Sequence, residues 1–199
     1  MARTDIREGA GRTVVLVDAD DRETGRAEKL WAHRNGGVRH RAFSVFLWNA
    51  GGECLLQRRA AGKYHFPGLW TNACCSHPGP GEGVVEAAER RLREELGLEG
   101  VELRERFAFE YRAESAATGL WEWEVDHVLD GWWEGTADSL RPDEAEVDGV
   151  RWAKAEDIDE AMARGGEGYT PWFAEVWRRR KETAAEEFPP AFSGGRTGG

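Results

Sequence analysis

One stretch restricts the fold more than any other, residues 67 to 97, reading PGLWTNACCSHPGPGEGVVEAAERRLREELG. It sets a Cys-Cys-Ser-His run, a glycine-rich turn and a charged helix side by side. Gly79 to Gly83 holds three glycines and a proline, so the chain must turn there. The pattern from about Gly83 to Leu96 is helical, and Gly97 is a natural left-handed stop. Val85, Ala88, Leu92 and Leu96 form one apolar stripe at the helical period, with Arg91 and Glu95 four apart along its edge. Glu94 points away, toward solvent. Periodicity leaves two readings of Arg91 and Glu95 even: a surface pair worth a few tenths of a kcal/mol, or a pair with a role beside the core.

The rest of the chain supplies partners for that stretch. Strands are expected at 13–18, 42–48, 53–59, 101–111, 121–132 and 149–153, with a short extended segment at 70–76. Residues 49–52 form a turn that makes 42–48 and 53–59 a hairpin. Loops are expected at 20–25, 63–69, 114–119 and 143–148. Helices are expected at 155–164 and from Trp172 to about Ala185, with Pro171 near the first helical position. Residues 1–12 read as a flexible arm, 13–186 as one domain, and 187–199 as a disordered tail. Strands with a few interspersed helices predict an α+β fold, a mixed central sheet sandwiched between helices.

Composition removes some function classes. Formal net charge is −10, from 37 acidic against 27 basic residues, which argues against binding nucleic acid through bulk positive charge. Three cysteines, two of them adjacent, do not make a disulfide framework. The opening MARTDIREGAGR is charged and lacks an apolar signal core, and no apolar run approaches membrane-spanning length. A cytoplasmic monomer in a reducing environment is expected, without membrane partners.

Glu82, Arg90, Glu94, Glu95, Gly97 and Leu98 fall at the spacing of the Nudix signature G-x5-E-x7-R-E-U-x-E-E-x-G-U, where U is aliphatic. Ser76 replaces its first glycine, and Arg91 replaces the glutamate after the arginine. The missing carboxylate weakens the metal cluster that a diphosphate hydrolase would use. PGLWTNACCSHP, the upstream His33 and His40, Arg58-Arg59-Ala60, WEWE at 121–124 and TPWF at 170–173 resemble the type 1 isopentenyl-diphosphate isomerases. The resemblance runs from about Val14 to Arg180.

That resemblance implies one metal site of His33, His40, His77, Glu122 and Glu124, suited to Mn, Mg or Zn. Coordination above four would favour Mn or Mg over structural Zn. It implies Cys75 and Glu124 for two proton transfers, with Tyr111 assisting Glu124. Glu124 is favoured to deliver the proton and Cys75 to remove it, although the order is not fixed by sequence and the reaction is reversible. Trp172 is implied to face a carbocation, and Lys29, Arg59, Lys63 and Arg91 to contact the diphosphate. A second Mg²⁺ on the diphosphate would be held by Glu95. His65 and His127 match no family ligand and are expected to be structural, and Cys74 to pack in the core.

The implied reaction interconverts isopentenyl and dimethylallyl diphosphate by moving a double bond through a tertiary cation, in isoprenoid biosynthesis. A Nudix diphosphate hydrolase is the second reading, and a non-catalytic metal-stabilised binding module the third.

Overall fold

The hairpin expected across residues 42–59 does not zip up. In the computed structural model, which describes residues 13–63, 65–116 and 118–182, strand β3 (His40–Trp48) meets β4 (Glu53–Arg59) at one pair, Trp48 with Cys54. Each then takes another partner. Strand β8 (Leu120–Trp132) runs parallel to β3 from the pair His40–Glu124 to the pair Trp48–Trp132. Strand β9 (Val147–Lys154) runs antiparallel to β4. The reason is legible in β3, whose residues AFSVFLW carry almost no polar alternation. Such a run wants cover on both faces, as a central parallel strand has.

The split between β3 and β4 is filled by the motif stretch. Strand β5 (Trp70–Asn72) pairs with β4, and β6 (Cys74–Ser76) pairs with β3. Asn72 ties the wedge in place: its Nδ2 donates to the carbonyls of Val45 and Cys74 at 3.0 and 2.8 Å.

The outer strands differ from expectation in two places. Residues 20–25 are not all turn: β1 (Thr13–Val17) pairs with β2 (Glu23–Glu28), and the turn closes at Arg22, where Asp18 Oδ1 accepts the N–H groups of Asp20 and Arg22. Strand β7 (Leu103–Ser115) is longer than predicted, so the β7–β8 connection starts after Ser115. A four-residue helix α1 (Lys29–Ala32), too short for periodicity to reveal, is capped by Glu28, whose carboxylate accepts the N–H groups of Leu30 and Trp31.

Helix α2 (Val84–Leu96) covers one face of the sheet, packing on Phe43, Val45, Leu47, Leu55 and Cys74. It ends where expected, at Gly97 with φ 67°, where a Cβ would sit 2.9 Å from that of Arg141. On the other face, Ile158 of α3 (Ala155–Ala163) and Trp172, Phe173 and Trp177 of α4 (Pro171–Glu182) pack on Phe46, Trp48, Leu56 and Val128. The nine strands of the described residues thus lie between helices on both sides, the predicted α+β sandwich. Among the described residues no helix is long and apolar enough to cross a membrane. The expectations for residues 1–12 and 187–199 fall outside the described residues.

Candidate active site

Strand period places the site residues on one face. In β3, Phe43, Val45 and Leu47 face α2, so His40, Ser44 and Phe46 face α4. Residues in register across a sheet share a face, and β3–β8 pairing sets His40 beside Glu124, which aligns Glu122, Glu124 and Asp126 with it. Tyr111 of β7 stands opposite Glu124. Cys75 of β6 stands opposite Ser44, while Cys74 turns to the α2 side.

His33 and His40 reach this face through a tight connection. His33 is the C-cap of α1, and Asn35, Gly36 and Gly37 all have positive φ. At Gly37 a Cβ would lie 3.1 Å from that of Trp121. His33 Nδ1–H donates to the Lys29 carbonyl at 2.6 Å, and His40 Nδ1–H to the Val38 carbonyl at 2.7 Å. Those bonds fix the tautomer and leave the Nε2 lone pairs for a cation. Both Nε2 atoms are buried without a hydrogen-bond partner. Glu124 Oε1 lies 2.9 Å from His77 Nε2, 3.5 Å from His40 Nε2 and 4.0 Å from His33 Nε2.

The charge states suit a metal. Burial and the neighbouring imidazoles push His33 well down, and burial and the Lys29 charge push His77 down to about 3. Burial opposes ionisation of Glu124, but the His40 and His77 side chains beside it outweigh that and hold the carboxyl well below its ordinary range. Neutral imidazoles around a carboxylate are the deprotonated donors a cation needs. His33, His40, His77 and Glu124 each offer one ligand atom, all within 4.8 Å of one another, so these buried groups can hold a metal ion. Glu122 falls in a second such group, with His33 and His65.

That second group bears on one expectation. His65 was expected to be structural, yet its Nδ1–H donates to Glu122 Oε1 at 2.8 Å inside the histidine cluster. His127 does stand apart, bridging Glu105 at 2.6 Å and Asp21 at 3.0 Å.

Cys75 sits beneath α4. The Trp172 indole N–H donates to Cys75 Sγ at 3.1 Å, and Sγ–H donates to Asn72 Oδ1 at 3.0 Å. Burial, then the Asp126 charge, pushes the thiol up to about 12. Ser44 Oγ lies 3.7 Å from Sγ and donates to Asp126 Oδ2 at 2.8 Å. Burial and the Glu124 charge hold Asp126 well above the usual carboxylate range. The Tyr111 hydroxyl is buried without a hydrogen-bond partner, and burial with the nearby carboxylates keeps it a neutral phenol.

A NUDIX domain model matches residues 38–173. The isopentenyl-diphosphate Delta-isomerase of Halorhodospira halophila is 49% identical over 160 residues, spanning 80% of this chain and 90% of its own. That of Nocardia farcinica is 48% identical over 163 residues, spanning 82% and 91%. The chain belongs to the type 1 isopentenyl-diphosphate Delta-isomerase family of the Nudix superfamily. The fold agrees: the crystal structure of DR0079 from Deinococcus radiodurans superposes with a TM-score of 0.68 at 24% identity, over 84% of this chain and 98% of that one.

Within this isomerase-family scaffold, the cations picked from sequence do not converge as one set. Arg59, 9% exposed, donates Nε and Nη2 to the His65 carbonyl at 3.1 and 3.0 Å, and its guanidinium lies over the Trp172 ring at 5.2 Å. Lys29 lines a cleft of about 360 Å³ with Ser76, His77, Arg90 and Glu94. Lys63 and Arg91 both pair with Glu146. Arg91 and Glu95 are each 3% exposed, which overturns the surface-pair reading. Arg91 Nε donates to Glu95 Oε1 at 3.0 Å, and Gln57 donates to Glu95 Oε2 at 3.2 Å. Glu95 belongs to neither metal-capable group found among the described residues. Sequence reasoning missed His65, Asp126 and Glu146. Asp126 had a signal, since it continues the i, i+2 carboxylate series of Glu122 and Glu124. His65 and Glu146 lie in irregular segments, where no period says which way a side chain turns.

Proposed function

We propose that this chain interconverts isopentenyl and dimethylallyl diphosphate. The observation that carries this reading is the Trp172 indole N–H on Cys75 Sγ, on the sheet face that holds Glu124. One proton adds to C4 of isopentenyl diphosphate as the C3–C4 π bond breaks, leaving a tertiary cation at C3. Loss of a C2 proton leaves its electron pair as the C2–C3 double bond. Glu124, beside the neutral Tyr111 phenol, delivers the first proton, and Cys75 removes the second. The Trp172 face stabilises the cation by about 2 kcal/mol. Phe46, Phe66 and Phe173 around it exclude water that would capture the cation as an alcohol.

The resting pair is a thiol and a carboxylate. That is the state left by forward turnover, and the one from which the return reaction starts. Resetting it moves one proton from Sγ to Glu124, and the Ser44 hydroxyl offers a first leg away from Sγ, toward Asp126. A divalent ion, Mn²⁺, Mg²⁺ or Zn²⁺, held by His33, His40, His77, Glu122 and Glu124 would fix the Glu124 carboxylate and tune its acidity. Lys29, Arg59, Lys63 and Arg91 would hold the diphosphate, and Glu95 would hold the Mg²⁺ that comes with it. For Arg91, Lys63 and Glu95 this means exchanging present partners. Unpaired thiols at Cys54, Cys74 and Cys75 support placing the enzyme in the cytoplasm.

The signature helix disfavours diphosphate hydrolysis. Two of its carboxylates are occupied by arginines, Glu82 by Arg90 and Glu94 by Arg90 and Arg91, and Arg91 stands where the signature has a further glutamate. Incubation with isopentenyl diphosphate and Mg²⁺ or Mn²⁺ in D₂O tests the reading. Dimethylallyl diphosphate carrying deuterium, without phosphate release, is expected. Phosphate release without isomerisation would establish the hydrolase instead.

A further inference from the structure

The metal-capable cluster holds one more histidine than the family resemblance assigns. His33 is its hub: ring centroids lie 4.6 Å away at His65, 4.7 Å at His40 and 5.5 Å at His77. His65 is therefore as near the hub as the histidines that the resemblance names. It is 4% exposed, and it offers a ligand atom within 4.8 Å of those of His33 and Glu122.

His65 is also held there by its surroundings. Two guanidinium hydrogen bonds from Arg59 clamp its carbonyl, at 3.1 and 3.0 Å. The next residue, Phe66, has φ 45°, a left-handed conformation that costs a non-glycine residue about 1 kcal/mol or more. That turn lays the Phe66 ring edge-on against Trp172 at 5.4 Å while His65 faces the cluster. A residue that only fills core space does not need a strained neighbour and a buried arginine to hold its direction.

We propose that His65 is a fourth imidazole donor of the metal centre. His33, His65 and Glu122 then form a second coordinating set, joined through His33 to the set of His33, His40, His77 and Glu124. Closed on one ion, four imidazoles with two carboxylates would make a nitrogen-rich six-donor shell. Such a shell selects a first-row transition ion over Mg²⁺, which prefers oxygen donors and keeps its waters. The inference rests on reading the cluster as a metal centre.

The test is a count of coordinated histidines in the full chain loaded with Mn²⁺ alone, by pulsed electron paramagnetic resonance of imidazole nitrogen couplings. Four coupled imidazoles are expected in the wild-type chain, and three in both His65→Ala and His65→Gln. Competition between Mn²⁺ and Mg²⁺ should shift toward Mg²⁺ in the variants, with Mn²⁺ bound about 10- to 100-fold more weakly. Three imidazoles in the wild-type chain overturn the proposal and leave the metal centre standing. None at all would overturn the metal centre as well. A count unchanged by both substitutions also overturns it, even if affinity falls, because His65 would then act only by holding Glu122. Should either variant fail to fold, the wild-type count decides alone.

Discussion

Cys74 and Cys75 are covalent neighbours in two different environments. Cys74 faces α2, where the ionic groups are matched: Arg91 with Glu94, Glu95 and Glu146, and Lys63 with Glu146. Cys75 faces α4, where His33 Nε2, His40 Nε2, His77 Nδ1, the Tyr111 hydroxyl and Asp126 Oδ1 are buried without hydrogen-bond partners. A buried polar atom left open costs about 1–3 kcal/mol. Charge pairs are thus closed around Cys74 and lone pairs left open around Cys75, although Arg180 and Asp130 also close a buried pair beneath α4. The surroundings of Cys75 are where a cation and the reacting carbons would find partners, while the diphosphate would draw Arg91 and Lys63 out of their pairs on the α2 face.

Substitutions on the two faces should fail in different ways. Cys75→Ala and Glu124→Gln should each lower the isomerisation rate by about 10²- to 10⁴-fold while the circular dichroism spectrum stays that of the wild-type chain. A fully active Cys75→Ala would sink the proposed mechanism. On the α2 face, Arg91→Met leaves the buried Glu95 with an unmatched charge, while Glu146 keeps Lys63. It should cost about 3–5 kcal/mol, read from the urea unfolding midpoint. Trp172→Phe removes the N–H on Cys75 Sγ and weakens the ring face, and a loss of about 2 kcal/mol corresponds to a turnover about 30-fold slower. Cys74→Ala should destabilise by about 1 kcal/mol with turnover unchanged.

The smallest effect is one of pH. Burial raises the Cys75 thiol from its ordinary 9.0 to about 12. Its contribution to stability is therefore full below pH 9.0 and is lost as pH rises toward about 12. Alkylation of Cys75 in the folded chain, followed by mass spectrometry, should keep accelerating up to that range. A plateau near pH 8.5, where a free thiol ionises, would show the site to be wetter than the structure has it.

What was legible follows from periodicity. The α2 boundaries, the opposite facing of Cys74 and Cys75, and the shared face of Glu122 and Glu124 each needed only the helix or strand period. The β3–β4 split was not legible, because the turn at residues 49–52 is a local signal and strand β8 is a remote competitor. The burial of Arg91 and Glu95 was hidden for the same kind of reason. Nothing within α2 announces that Gln57 and Glu146 will close over that edge. His65 was unreadable because its direction depends on Arg59 and on a positive φ at Phe66.

The parallel β3–β8 ladder also dictates an order of events as the protein is made. His40 and Glu124 meet across 84 positions of chain, 124 less 40. Contacts so far apart in sequence form late, because the intervening loop must close before the pairing rewards it. A ribosome that has released residues up to 77 has already exposed four of the five histidines, with no ladder to align them. The metal pocket is therefore absent until the second half of the domain arrives. Any ion loading would then be one of the last steps of folding, and an event that a truncated chain could not reach.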